Sequence, residues 1–295
     1  MQMKYSIIVL LGAISYGVLS TFVKLAYGAG FTVNEVVGGQ FFFGWLMLLL
    51  AVGFFSRKRI RLKHVLQLML VGTTTSFTAI TYYSSLQYVP ASVAIILLFQ
   101  FTWMGVALEA ILTRTWPSRI KVASVLLLIG GTLLASGLFS ATVAALPLKG
   151  ILFGLCAAVS FTLFILVSER VAVDVSPLSR SLAMISGAMV FTFIVFPPTF
   201  IFSGVILYGL WIYALPLAFF GMVIPTLFFA IGMPRIGTGL GTILGAAELP
   251  TVIVMSWLVL REQIGWLQYI GIMIILIGIV LPQLKKKSVL DTVDG

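Results

Sequence analysis

The chain has 295 residues, 61% of them hydrophobic and 9% charged, where a soluble domain carries about 25% charged residues. With mean hydropathy at +1.18, ten stretches of about 20 residues take up roughly two thirds of it, each long enough to cross a hydrocarbon core, which excludes a sizeable soluble domain. The net charge of +10 is spread over short loops rather than one face of a soluble module, so nucleic acid is not an expected partner; the lipid bilayer is.

The predicted spans are 5–26, 34–55, 65–86, 90–112, 119–138, 149–169, 178–201, 209–231, 238–260 and 264–284. The first apolar run is too long for a signal-peptide core, and Ser15-Tyr16-Gly17 offers no convincing cleavage site, so it reads as an uncleaved span. It carries Tyr16 at mid-depth and Lys24 near one end. Asn34-Glu35 opens the second span with the acidic first turn that the helix dipole favours.

The third span repeats hydroxyls at helical spacing, Thr74, Thr78, Thr81, Tyr82 and Ser85. They either line a wet cavity or bond to their own helix. Tyr82 is the candidate whose ring and hydroxyl suit an amphipathic ligand. In the fourth span Gln100 and Trp103 share a helical face, and Glu109 lies within reach of Arg114. Phe161, Phe164 and Glu169 follow in the sixth span. Cys156 is the one cysteine and His64 the one histidine, which leaves no disulfide framework, metal site or cofactor to expect. Pro216 and Pro225 should bend the eighth span, and Phe229 follows them.

The ninth span holds the sharpest feature. Glu248 lies about halfway along it, and Thr238, Thr242 and Gly245 precede it at helical spacing. A charged side chain at that depth costs about 2.5–3.5 kcal/mol on insertion scales. Glu248 should therefore face the bundle interior, either coupling to protons or pairing a cation, or as a hydrogen-bonded link between helices. Glu262 is expected to stabilise the start of the last span.

Placing both termini in the cytoplasm puts 15 of the 18 Lys and Arg residues inside, leaving Lys24, Lys149 and Arg261 outside. The two groups of five spans also resemble each other. A shift of 145 pairs Leu10 with Leu155, Ser15 with Ser160, Tyr16 with Phe161 and Lys24 with Glu169; a shift of 148 pairs Gln100 with Glu248 and Leu128-Ile129-Gly130 with Leu276-Ile277-Gly278. Because five is odd, the second group starts on the opposite side from the first, the inverted arrangement of alternating-access carriers. Gln100 and Glu248 are then expected to meet across a central cavity, Gln100 either offering its amide there beside Trp103 or making a hydrogen bond between helices.

Ala247-Glu248-Leu249-Pro250, Leu258-Val259-Leu260-Arg261-Glu262 and Gln268-Tyr269-Ile270-Gly271, with Ala13-Ile14-Ser15-Tyr16-Gly17 and Lys24 in the first repeat, resemble the EamA-type members of the drug/metabolite transporter superfamily. The family's usual first-span tryptophan is Tyr16 here, and Gln100-Phe101-Thr102 stands where a proline is frequent. The resemblance implies an all-α membrane protein of ten transmembrane helices, two inverted five-helix repeats (1–140 and 146–287) with a short cytoplasmic tail (288–295). It implies a cavity lined by spans one, three, four, six, eight and nine.

The expected function is secondary transport of a small amphipathic, amino-acid-like metabolite, by efflux, across a bacterial inner membrane. The expected binding set is Glu248, Gln100, Trp103, Tyr82, Thr78, Tyr16, Phe161 and Thr242, with Glu248, Lys24 and Glu169 in gating or proton coupling. The chain is expected to act as a monomer or weak dimer. A sugar or nucleotide-sugar carrier and an intramembrane enzyme are the alternatives. Both want more charged groups at mid-depth than this sequence supplies.

Overall fold

A computed structural model describes residues 2–55, 60–85, 87–89, 91–135, 147–260 and 265–291. Arg57, Lys58, Arg59, Arg261, Glu262 and several predicted span ends lie outside the described residues. The helices are α1 (Gln2–Gly17), α2 (Leu19–Gly28), α3 (Val33–Phe55), α4 (Leu62–Ser85), α5 (Ala91–Leu98), α6 (Phe101–Thr113) and α7 (Arg119–Ala135) in the first half. The second half has α8 (Leu148–Arg170), α9 (Pro177–Val195), α10 (Trp211–Ala218), α11 (Ile224–Ile236), α12 (Thr238–Gly245), α13 (Glu248–Leu260) and α14 (Trp266–Asp291).

Among the described residues, seven helical segments are long and apolar enough to cross a membrane: Met3–Gly28, Val33–Phe55, Val93–Thr113, Leu148–Arg170, Pro177–Val195, Ile206–Ile236 and Thr238–Val259. The other three predicted spans are helical but outside that set. Hydroxyls dilute the hydropathy of α4, α7 has 17 residues, and the apolar part of α14 is Trp266–Pro282.

Several crossings are broken, and the sequence supplies the cause. Pro250 has no amide hydrogen, so the Ala246 carbonyl loses its α-helical donor. The Leu249 N–H takes that carbonyl at 3.2 Å in a tighter turn, and α13 starts afresh at Glu248. The equivalent place in the first half breaks without a proline. There Gln100 N–H reaches back only to Leu97 O at 3.3 Å, and its side-chain Nε2 donates to the Ile96 carbonyl at 2.9 Å. Between α10 and α11, Phe219–Val223 widens into a π turn just before Pro225.

The two halves interlock. α7 packs on α14, α3 on α9, and α6 on α12. The contact of α4 with α8 is matched by that of α11 with α1, and α4 with α9 by α10 with α3. Side chains stitch these pairs: Ser85 Oγ donates to Gly150 O at 2.8 Å, Ser160 Oγ to Thr74 O at 2.8 Å and Gln268 Nε2 to Ala135 O at 3.1 Å. Each such bond between helices contributes about 0.6–2 kcal/mol in a membrane.

Close approach demands glycine at position 17, where α1 ends against the start of α13. A β-carbon there would lie 2.6 Å from the Glu248 carbonyl oxygen, whereas one at Gly130 would meet nothing within 4 Å. Gly17→Ala should therefore destabilise the fold by about 1–3 kcal/mol, seen as a lower thermal midpoint in detergent, while Gly130→Ala leaves the midpoint unchanged or slightly higher.

Candidate functional site

The break between α12 and α13 decides where the one mid-depth carboxyl goes. Glu248 is the first residue of α13, so it sits at a helix N-terminus, where a negative charge is favoured. Its side chain lines a cavity of about 350 Å³ enclosed by α1, α2, α3, α4, α5, α8 and α13. Tyr16, Thr75, Thr78, Tyr82 and Phe161 share that wall. Thr78 Oγ1 is bonded to the Thr74 carbonyl at 2.7 Å, and Thr74 and Thr81 likewise bond within α4, so these hydroxyls serve their own helix.

Toward the end of the bundle that carries Lys24, the cavity gains a second polar group: Ser20, Tyr27, Gln40 and Tyr83. Tyr83 OH donates to Gln40 Oε1 at 3.4 Å. Ser20 Oγ and Tyr27 OH are shielded and have no hydrogen-bond partner among the described residues. Sequence reasoning missed this group. Its signal was Gln40, an amide in the apolar stretch of α3 that follows Asn34-Glu35, and it is 1% exposed. Lys24 is exposed and lines the cavity at the same end.

The opposite half of the bundle is closed. It ends at the N-terminal face, which carries residue 2, the turns 114–118 and 171–176, and Gly237. Below Glu248 a ring cluster fills the interior: Phe161 meets Phe101 at 4.8 Å and Tyr16 at 5.8 Å between centroids, and Phe164 stacks on Phe229 at 6.1 Å. Nearer the face, Glu169 accepts hydrogen bonds from Thr238 N–H and Thr238 Oγ1, fastening the end of α8 to the start of α12. Glu109 pairs with Lys121 rather than with Arg114, because the chain turns at Arg114 (φ 54°) and α7 brings Lys121 back beside it.

Several expected cavity residues lie elsewhere. Gln100 does not meet Glu248, since its amide is taken by the Ile96 carbonyl and by the Trp103 indole, whose N–H donates to Gln100 Oε1 at 2.8 Å. Trp103 is 40% exposed, on the bundle's outer side. Ile95 and Leu98 line the cavity in their place. Thr242 is buried, bonds to Gly239 O at 3.1 Å and packs on Gly105. The stripe from Thr238 to Glu248 presumed one straight helix; the break at Ala246–Ala247 turns Glu248 onto a different face from Thr242. Glu169 and Lys24 occupy opposite ends of the bundle, only Lys24 beside the cavity.

The sequence profile of the EamA-like transporter family matches this chain twice, over residues 3–137 and 148–282. The chain belongs to that family. A solved protein structure superposes with a TM-score of 0.77 over 96% of this chain and 99% of its own, at 17% identity, which shows a shared fold. No curated protein matches in sequence.

These placements separate two glutamines that the sequence makes look alike. Gln40→Leu should weaken binding of any compound the cavity accepts by roughly two- to tenfold, the worth of one neutral hydrogen bond, while Gln100→Leu should leave it within about twofold; ligand-induced thermal shifts on purified protein measure both.

Proposed function

We propose that this member of the EamA-like transporter family carries a small amphipathic metabolite, amino-acid-like or closely related, by alternating access, with Glu248 as the group that couples passage to protons. The observation that carries this reading is a mid-depth cavity with one carboxylate at a helix break, walled by Tyr16, Tyr82 and Phe161. An ammonium group would sit at Glu248, where the flanking rings add cation–π attraction of about 0.5–2 kcal/mol. Hydrogen-bonding groups at the other end of the compound would meet Gln40 and Tyr83.

Among the described residues, Lys4, Arg61, Lys63, Arg114, Arg119, Lys121, Arg170, Arg180 and Arg235 all lie toward the N-terminal face. That distribution supports a bacterial inner-membrane placement with this face in the cytoplasm. The cavity then opens outward, and the Glu169–Thr238 and Glu109–Lys121 contacts form the closed inner gate. Export is the direction proposed. A phosphorylated sugar carrier would want several cations at mid-depth, and the cavity's one cation, Lys24, stands at its mouth. Intramembrane catalysis would want a cluster of acid, base or nucleophile around Glu248, and the groups there are aromatic rings and threonines.

Reconstituted protein should give substrate flux above empty liposomes that rises with an imposed pH gradient. Glu248→Gln keeps the shape and removes the titrating oxygen, so flux should fall about tenfold or more, the loss expected with a charged hydrogen-bond partner, and should no longer respond to the gradient. Equal flux and equal gradient response in both proteins would overturn the reading.

A further inference from the structure

Three prolines, Pro216, Pro225 and Pro234, each remove a donor from the α10–α11 crossing, and at the last two a side chain from another helix takes the released carbonyl. At Pro225 the π turn gives the Ile224 N–H to Phe219 O, so Phe220 O has neither an i+4 nor an i+5 amide. Ser15 Oγ of α1 donates to it at 2.6 Å. At Pro234 the Ala230 carbonyl loses its i+4 amide, and Arg180 Nη1 of α9 donates to it at 2.6 Å.

Arg180 does more than answer one carbonyl. It is 1% exposed, and its Nη2 also donates to Ser168 O at 2.8 Å and Val171 O at 3.0 Å. Those carbonyls close the last turn of α8, which ends without amides of its own to bond them. Arg180 stands in the first turn of α9, where a cation is unfavourable, and reaches to the C-terminal end of α8, where it is favoured. All of its recorded hydrogen bonds go to main-chain oxygens rather than to a carboxylate. One guanidinium thus ties the N-terminal-face ends of α8, α9 and α11 together, at the side of the bundle that is shut.

We propose that Arg180 is a positioning residue for transport: it is the latch of the closed N-terminal face, and Pro234 is what makes the latch reversible, by leaving a carbonyl that Arg180 serves in place of the helix's own amide. Opening of this face draws α11 away from α8 and α9 and breaks the Ala230 contact, while the α8 contacts hold. A main-chain amide at position 234 would satisfy Ala230 locally and leave the latch weak. The inference rests on the alternating-access reading, and it names the contact on which alternation turns.

Spin labels introduced by Arg170→Cys and Arg235→Cys, in a Cys156→Ser background, report the separation of α8 and α11 at this face by pulsed electron resonance in liposomes without substrate. The latch-intact protein should show a dominant short distance. Arg180→Gln should raise the ratio of long to short distances about tenfold, the worth of the one charged hydrogen bond to the Ala230 carbonyl that opening breaks. Arg180→Lys should give a smaller rise. Pro234→Ala should also raise the ratio while its thermal midpoint stays level or increases, because the helix regains a bond; a purely structural role would not produce opening without destabilisation. In the double variant the effect of Arg180→Gln should shrink. Unchanged distances in Pro234→Ala, or in whichever Arg180 variants fold, would overturn the latch. Because no substrate is present, that result would leave the flux experiment on Glu248 to stand or fall separately.

Discussion

In hydrocarbon no water can take up a carbonyl that its own helix has released, so each break in a spanning helix has to be answered from inside the protein. This constraint explains more of the molecule than any single contact. The α12–α13 break is answered by a tightened turn, the α5–α6 break by the side chain of Gln100, the Pro225 break by Ser15 and the Pro234 break by Arg180. The last three answers use polar side chains that would otherwise look like candidate binding residues. What the breaks give in return is position: Glu248 becomes a helix N-terminus in the middle of the bundle, beside tyrosines rather than lipid.

Interlocking of the halves gives that position its two sides. Helices of one half pack chiefly on helices of the other, and most contacts recur with the halves exchanged. The cavity does not share that symmetry. Its lining runs from Glu248 toward the Lys24 end, while the equivalent volume on the N-terminal side is filled by Phe101, Phe161, Phe164 and Phe229 and tied by Glu169, Lys121 and Arg180. A nearly symmetric frame holding an asymmetric cavity is the form expected of one state in an alternating pair.

Class and repeat were legible in the sequence because they rest on composition and on two family-like halves, and the family match falls on both halves. The interior placement of Glu248 was legible for a related reason, since a lone mid-span carboxyl has few other places to go. Gln100 was misplaced because the shift of 148 equates it with Glu248, but equivalent sites need not hold equivalent side chains. Gln100 closes its own broken turn, whereas at Glu248 the Leu249 amide does that work. Thr242 was misplaced because helical spacing was carried across a break that Pro250 announces. Gln40 is neutral and carries no mark of charge in the sequence, and Arg180 reads there as one more cation near a span end because nothing in the sequence shows three carbonyls converging on it.

A largely apolar cavity, with Gln40, Tyr83 and Glu248 among its few polar groups, reaches Glu248 from the Lys24 side and stops at the ring cluster. Thiol labelling tests this, with Thr78→Cys, Val252→Cys (a further residue of the cavity wall, on α13) and Thr242→Cys made singly in a Cys156→Ser chain and a small membrane-impermeant reagent added to each side in turn. Reaction at positions 78 and 252 from the Lys24 side alone, with position 242 inert, is the predicted pattern. Labelling of position 242 with 78 and 252 silent would place the cavity elsewhere and contradict the account.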